Sequence, residues 1–478
     1  MSLLIHRPQQ FPDYVQLPEP QLRFDPYDPA ALEAHPLRGL LRFGPYSEAI
    51  FESMPPAIRL AAVVPAAEGA KVTGLVAELG RHRRATERRY YLPDFPGFEP
   101  VFRRTLAAPQ PIVELPGDLE AAVAGSDPQR ALSEAVRAAI SQAFARRAEW
   151  DVLLIYLPDR WSPGFEGGTN EDFDLHDQIK AVCAARGIPT QVLNDDAFTY
   201  ACRASVAWRL GIALYVKAGG VPWKMEPIAP ETAFIGLSYA LRTSGGALRY
   251  VTCCSQIFDA EGTGLEFLAY DTPGPVRLAG RNPFLYRDQM RAVMAQSLAL
   301  YLDRHAGHMP RRVVIHKSTE WKGYEIDGAF DALGRVPEIE LITVTETDWR
   351  AIRLLAATGG TAKGVPDNYP LMRGTLVTVG EHELLLYTQG DASSVTGGQR
   401  YFPEGRGLPR PLLLRRYAGH ADAAQVGAEV LALSKMDWNN DKLYDTLPAT
   451  QAFAKDLANV VKRIPKLDPR PYALRLFM

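Results

Sequence analysis

The chain predicts an α/β protein in two lobes, a Rossmann-like half with a parallel sheet followed by a half with the element order of an RNase H-like domain. Three observations carry this prediction. At 478 residues the chain is longer than one compact core usually serves. Between residues 131 and 217 helical periodicity alternates with short, continuously apolar runs. After Pro222 and Pro227 the pattern changes, and three strand-like runs follow one another.

Taken in order, the first 120 residues are Pro-rich and give no clear periodicity. Residues 131–147 place Leu132, Val136, Ile140 and Phe144 at fourfold spacing, which predicts a helix. Residues 151–157 are an apolar run suited to a strand covered on both faces of a parallel sheet. A Gly/Pro-rich loop at 158–170 leads to a helix at 173–186, a strand at 189–193 and a helix at about 197–217. This βαβα order is Rossmann-like, with ligands expected at the carboxyl ends of the strands. The second lobe then reads as strands at 233–241, 248–258 and 265–270, a helix at about 287–305, and a strand at 312–316. A helix near 325–334, strands at 338–344, 374–379 and 383–388, and helices at about 421–435 and 449–462 complete it. Three meandering strands, then helix, strand, helix and strand, is the order of an RNase H-like domain.

Composition restricts function less than pattern does. The hydrophobic fraction of 47% and charged fraction of 23% suit a soluble globular protein. No apolar run approaches the length of a membrane span, and the first residues do not read as a secretory signal. The net charge of −2 argues against non-specific coating of nucleic acid, so any such site must be a local groove. The four cysteines, Cys183, Cys202, Cys253 and Cys254, lack metal-ligand spacing. They read as reduced core residues of a cytoplasmic protein, with adjacent Cys253 and Cys254 on opposite faces of a strand. The basic cluster 81–84, with Arg88 and Arg89, reads either as a solvated helix face or as a contact to a phosphate backbone.

Four side chains recur at element-sized spacing within the Rossmann-like half. His176 and Lys180 are four apart and share a helix face, beside the apolar stripe of Leu175, Ile179 and Val182. Gln191 lies near the end of the next strand. Lys217 lies in the last turn of the next helix, before the stop signal Gly219, Gly220 and Pro222. Singly, each has an ordinary explanation. Lys217 would complement a helix dipole, Lys180 would be a surface lysine, and His176 a satisfied core histidine. Together, with 188–191 and 217–224 around them, they predict a pocket for a phosphate at the end of a nucleic-acid strand.

This constellation resembles the MID-domain signature of Argonaute proteins. In that family an aromatic or histidine, a lysine, a glutamine and a second lysine hold the 5′-phosphate of a guide strand. The resemblance implies that His176 stacks on the first base, and that Lys180, Gln191 and Lys217 grip the phosphate. It also implies Mg²⁺ bridging that phosphate to a terminal carboxylate, here Met478 at the end of an apolar tail. Residues 1–225 then comprise an N-terminal extension plus a MID domain, its Rossmann-like core at about 150–225. Residues 226–478 resemble a PIWI domain, matched at 234–238, 313–318, 368–374, 433–440 and 447–450. Length and spacing are similar to short prokaryotic Argonautes.

The chain departs from the slicing members at the expected acids. A PIWI nuclease holds two cations about 4 Å apart with carboxylates. Ser238 and Ser318 stand at two of those positions, and a hydroxyl is a poor ligand for a hard cation. Asp259, Glu266, Glu320 and Asp437 are nearby in sequence and read as ordinary loop acids. The expectation is a lobe that binds a duplex without cutting it and therefore is not itself an enzyme. Arg373, Arg415, Arg416, Lys435 and Lys442 are candidates for backbone contact, each also readable as a plain surface charge.

The resemblance implies a small guide RNA, a complementary single-stranded DNA target from an invader, and a partner protein. That partner carries an APAZ domain fused to a Sir2 or TIR NADase or to a nuclease, which becomes active on target pairing. Two other classes stand beside this. One is an active guide-directed nuclease using unconventional acids. The other is an α/β protein binding a small nucleotide, although no P-loop and no Gly-x-Gly-x-x-Gly opens a helix after a strand.

Overall fold

The first strand of the computed structural model, Tyr14–Gln16 (β1), pairs antiparallel with Val377, Leu376 and Thr375, far along the chain. The N-terminal segment is thus an edge strand of the second lobe. The structure describes residues 14–49, 55–167, 173–244, 247–257, 265–271, 277–279, 282–347, 355–356, 365–366, 371–398, 409–439, 441–464 and 471–478.

The first lobe is built on Leu60–Val64 (β2), a helix Gly69–Leu79 (α1) and Ile112–Glu114 (β3). There follow Pro128–Phe144 (α2), Val152–Tyr156 (β4), Leu175–Ala185 (α3), Thr190–Leu193 (β5) and Arg203–Lys217 (α4). The sheet order is β3-β2-β4-β5, parallel throughout. All residues of β2 and β4 are buried, as helices on both faces require. The sheet is therefore larger than the 150–225 core that the sequence marks. β2 is five residues of Leu, Ala and Val beside Pro65, too short to stand out among prolines. The helix expected at 197–217 breaks in two, because Tyr200 leaves the helical conformation with ψ 127 and α4 restarts after Cys202.

The second lobe follows the expected order. Thr232–Ser244 (β6), Ala247–Ile257 (β7) and Leu265–Asp271 (β8) form the meander. Arg287–Arg304 (α5), Arg312–Lys317 (β9), Gly323–Leu333 (α6) and Glu338–Glu346 (β10) come next. Thr375–Gly380 (β11), Glu383–Leu386 (β12), Leu412–Ala418 (β13), Ala423–Leu433 (α7), Ala449–Val461 (α8) and Tyr472–Ala473 (β14) complete it. The sheet has ten strands in the order β1-β11-β12-β13-β10-β9-β6-β7-β8-β14. β9 lies parallel to both β6 and β10, while the meander is antiparallel. Strand β13 has no counterpart in the sequence reading. Its run of leucines sits directly behind Pro409 and Pro411, which read as loop.

One apolar cluster spans both lobes, running from Leu22 and Trp208 to Phe453 and Phe477. Polar ties cross the same boundary. Trp223 Nε1 donates to the Lys435 carbonyl at 3.0 Å, and Arg88 pairs with Asp441 at 3.1 Å. Separate clusters pack α2 and α3 on the outer face of the parallel sheet and α5 and α6 on the outer face of the mixed sheet.

Helix α8 lies so close to β6 that a Cβ on Gly236 would stand 1.8 Å from the Thr450 carbonyl oxygen. Thr450 is held in turn by His316, whose Nδ1 is 2.8 Å from Thr450 Oγ1. Gly236→Ala is expected to lower stability by about 1–3 kcal/mol through overpacking, read as an earlier denaturation midpoint. An unchanged midpoint would show that α8 moves freely on the sheet.

Candidate nucleic-acid anion site

Helix α3 begins at an Asp174 cap, whose side chain accepts from the Asp177 amide at 2.9 Å. This fixes the phase of the helix, and His176 and Lys180 lie one turn apart on it. Lys180 is buried and its Nζ donates to the Phe477 carbonyl at 2.8 Å. His176 stays at the rim, its side chain 51% exposed and 3.9 Å from Asp177. Gln191 is carried by β5 and Lys217 ends α4, where Gly219 adopts a positive φ of 108 and turns the chain away. Lys217 is 1% exposed. Its Nζ donates to Gln191 Oε1 at 2.6 Å and reaches Asn439 Oδ1 at 3.5 Å.

The structure therefore brings Lys180, Gln191, Lys217 and the last residues of the chain to one place, with His176 beside them. Leu476, Phe477 and Met478 are buried there, so this segment tucks inward. Burial drives the Lys217 ammonium well below its usual pKa, and repulsion from Lys180 adds to this, with Asp437 opposing. Burial also lowers Lys180, against the attraction of Asp456, Asp177, Asp437 and Asp174. Two buried amino groups that repel when charged and make no ion pair among the described residues carry their charge at a cost, which Asp456, Asp177, Asp437 and Asp174 offset only in part. An arriving anion would relieve it. A cavity of 240 Å³ opens beside Gln191 and Asn439, lined further along α4 by Arg209.

Sequence reasoning missed the contribution of the other lobe. Asn439 and Asp437 come from the loop after α7, and Asp456 and Arg463 from α8 and its end. Arg463 pairs with Asp177 at 3.0 Å and so braces the start of α3. A signal existed in the Trp438-Asn439 stretch, which matched the second lobe, but nothing in one sequence says that it reaches the first.

In the mixed sheet, Leu237 of β6 pairs with Lys317 at the end of β9, so Ser238 on β6 and Ser318, one residue past β9, each follow directly on this pair. Ser238 Oγ donates to the Ala454 carbonyl at 2.5 Å, and Ser318 is exposed. Just beneath them Lys317 and Glu325 form a fully buried pair at 2.6 Å. Glu320 is engaged with Lys322 at 3.0 Å. Asp259 and the Glu266 side chain lie outside the described residues, as do the Cys253 and Cys254 side chains and residues 368–370. Cys183 and Cys202 are free and buried. Among the described residues, Asp174, His176 and Asp177 form a grouping close enough to share a metal ion, and it sits at the rim of the anion site, not beside the serines.

Two backbone-contact candidates are corrected by burial. Arg373 and Lys435 do not face a groove. Both meet Glu19, at 3.1 and 2.8 Å, inside the protein. Lys435 also donates to the carbonyls of Pro20 and Ala34, and Arg373 to those of Thr388 and Leu431. They tie the N-terminal segment to α7. Both follow ordinary sequence contexts, and only the distant Glu19 reveals their task. Arg415 remains partly exposed and pairs with Glu383 at 2.7 Å, Arg416 with Glu340 at 3.2 Å, and Lys442 with Asp445 at 3.2 Å.

No protein-family model and no curated protein sequence matches the chain. Solved structures do. The Clostridium butyricum Argonaute bound to a guide DNA and a 19-mer target DNA matches with a TM-score of 0.65 and 14% identity, over 98% of this chain and 55% of that one. Aa-Ago with externally bound siRNA matches at 0.62 and 12%, over 97% and 56%. Drosophila Piwi matches at 0.60 and 14%, over 97% and 55%. The chain spans about half the length of these structures. No helix among the described residues is long and apolar enough to cross a membrane. Two packed lobes, a parallel-sheet half bearing the anion site and an RNase H-ordered half bearing Ser238 and Ser318, give this chain an Argonaute-like MID–PIWI fold.

Proposed function

We propose that the chain holds a small guide RNA by its 5′-phosphate and uses it to recognise complementary single-stranded DNA of an invader in the cytoplasm. The observation that carries this is the meeting of two buried lysines without ion pairs among the described residues, Lys180 and Lys217, with Gln191 in one site. A phosphate dianion is the ligand such a site suits, and a guide then supplies sequence specificity by pairing. Two structural neighbours are named for complexes with guide and target DNA or with siRNA.

The proposal includes binding without cleavage; what supports it is that Ser238 and Ser318, at positions where the resemblance expects carboxylates, carry neutral hydroxyls, which are poor ligands for the cations of a two-metal nuclease. Target pairing would then be reported by a partner, proposed as an APAZ protein carrying a Sir2 or TIR NADase or a nuclease. Mg²⁺ is proposed at the phosphate. The surroundings fit it, because the Lys180 bond to the Phe477 carbonyl fixes buried Met478 beside the site. A carboxylate at Met478 would offer hard oxygen ligands, and the ion would supply further charge neutralisation of the phosphate.

Sequencing the nucleic acid that copurifies with the protein tests this reading. Short RNAs bearing 5′-phosphates are expected. Their absence, or DNA guides in their place, would contradict it. Incubating the loaded protein with complementary DNA and Mg²⁺ or Mn²⁺ should leave the target intact. Defined products would establish a guided nuclease instead.

A further inference from the structure

The basic run at 81–89 has no part in the function so far. It forms a loop and not a helix face, because the chain leaves α1 at Leu79 and enters its next helix only at Phe98. Two of its arginines hold the loop in place. Arg83 pairs with Glu78 at 3.0 Å, and Arg88 pairs with Glu87 and with Asp441 of the second lobe, both at 3.1 Å. Arg88 also donates to Ser205 Oγ on α4 at 3.0 Å and takes a positive φ of 44, so the loop turns around this anchor. Arg84 and Arg89 are exposed and make no ion pair among the described residues.

A line of contacts joins this loop to the anion site. The 240 Å³ cavity beside Lys217 is lined by Gln191, Asn439 and Arg209. Arg209 is exposed, and its guanidinium lies 5.7 Å from the centre of the Tyr200 ring. Tyr200 is itself 37% exposed and donates to Glu87 of the loop at 2.9 Å. Asp441, which receives Arg88, accepts from Ser205 Oγ at 3.0 Å and belongs to the same segment as Asn439. Ser205 precedes Lys217 by about 18 Å along α4, from the helical rise.

Resting on the phosphate-site reading above, we propose that this loop is a second contact for the same RNA strand, with Arg84 and Arg89 taking backbone phosphates beyond its 5′ end. An exposed guanidinium without an acid partner presents its full fork of donors, which matches a phosphate. The chain as a whole has a net charge of −2, so such a pair is a local exception and not part of a basic surface. The separation also suits one strand. At about 3.4 Å per stacked nucleotide, 18 Å corresponds to about five nucleotides. The exposed Tyr200 ring between the two contacts offers a base a stacking face.

The test compares wild type with the Arg84→Ala/Arg89→Ala double variant. Affinity is measured over a salt series for a 5′-phosphorylated dinucleotide, too short to span both contacts, and for a 5′-phosphorylated RNA of about twenty nucleotides. Each strand is also measured with a 5′-hydroxyl. The variant should bind the long strand about tenfold more weakly, with a log–log salt slope shallower by about 1.4 for two lost phosphate contacts. Its affinity for the dinucleotide and its denaturation midpoint should match wild type, since both arginines are exposed. Arg84→Lys/Arg89→Lys, which keeps both charges, should keep the wild-type slope. Unchanged long-strand affinity and slope in the alanine variant would overturn the inference and leave the phosphate site standing. An equal loss for dinucleotide and long strand would overturn it as well. Equal wild-type affinity for phosphorylated and hydroxyl strands of both lengths would overturn the phosphate reading, and the inference with it.

Discussion

Replacing Lys180 and Lys217 together with alanine is expected to abolish the proposed 5′-phosphate-dependent RNA binding and to leave the fold intact. Each ammonium contributes a charge-assisted contact of about 1.5–3 kcal/mol to a buried phosphate. Losing both lowers affinity by about two to four orders of magnitude. The fold is expected to survive because the hydrogen bonds lost, to the Phe477 carbonyl and Gln191, are local ones at the chain end and in the site. Burial and mutual repulsion disfavour the charged forms in the native state. Lys217→Met should therefore raise stability. The sign follows from linkage. Lys217 has a native pKa below its unfolded value, so the unfolded chain binds more protons and native stability rises with pH toward about 10.4. In Lys217→Met that part of the alkaline rise disappears. Affinity of the double variant within a few-fold of wild type would remove the pocket from the account, and a collapsed fold would show that the lysines are structural.

Glu19→Gln is expected to be the most damaging single change away from the site. Glu19 is the shared counter-ion of Arg373 and Lys435, both buried. Removing it leaves two cations without their charge partner, a loss of about 3–5 kcal/mol. Burial pushes the Glu19 carboxyl up, but Arg373 and Lys435, through charge and hydrogen bonds, hold it below its usual range. Burial lowers Lys435 to about 8, with Glu19 opposing. Because the Glu19 pKa is depressed on folding, its contribution is present above its unfolded value near 4.5 and is lost as pH falls below it. Denaturant titrations at pH 7 and pH 4 should show the gap between wild type and Glu19→Gln narrowing at the lower pH. A gap of equal size at both would mean that Glu19 acts through packing alone.

The legible parts of this molecule are those written in local pattern. Leu132, Val136 and Ile140 announce α2, and the apolar run at 151–157 announces β4. The spacing of His176, Lys180, Gln191 and Lys217 places three of the four in contact or within one charged site, because each sits at a fixed point of its own helix or strand. What stayed hidden depends on pairing across long separations. β1 reads as coil until its partner 359 residues away is known, since Gln16 pairs with Thr375 only in the folded sheet. Lys435 and Arg373 look like surface cations until Glu19 is brought to them. Asp437 reads as a loop acid, yet it confronts two lysines that no periodicity connects to it. The doubly wound sheet was underestimated for a related reason. β2 and β3 are short and flanked by Pro65 and Pro111, so the signal for turns outweighs that for strands.

The most direct measurement compares the affinity of the intact wild-type protein for one short RNA with and without its 5′-phosphate, at a fixed salt concentration. The account predicts that the phosphorylated strand binds at least about a hundredfold more tightly, the return from two desolvated ammonium groups gaining their anion. Equal affinities for the two strands would contradict it.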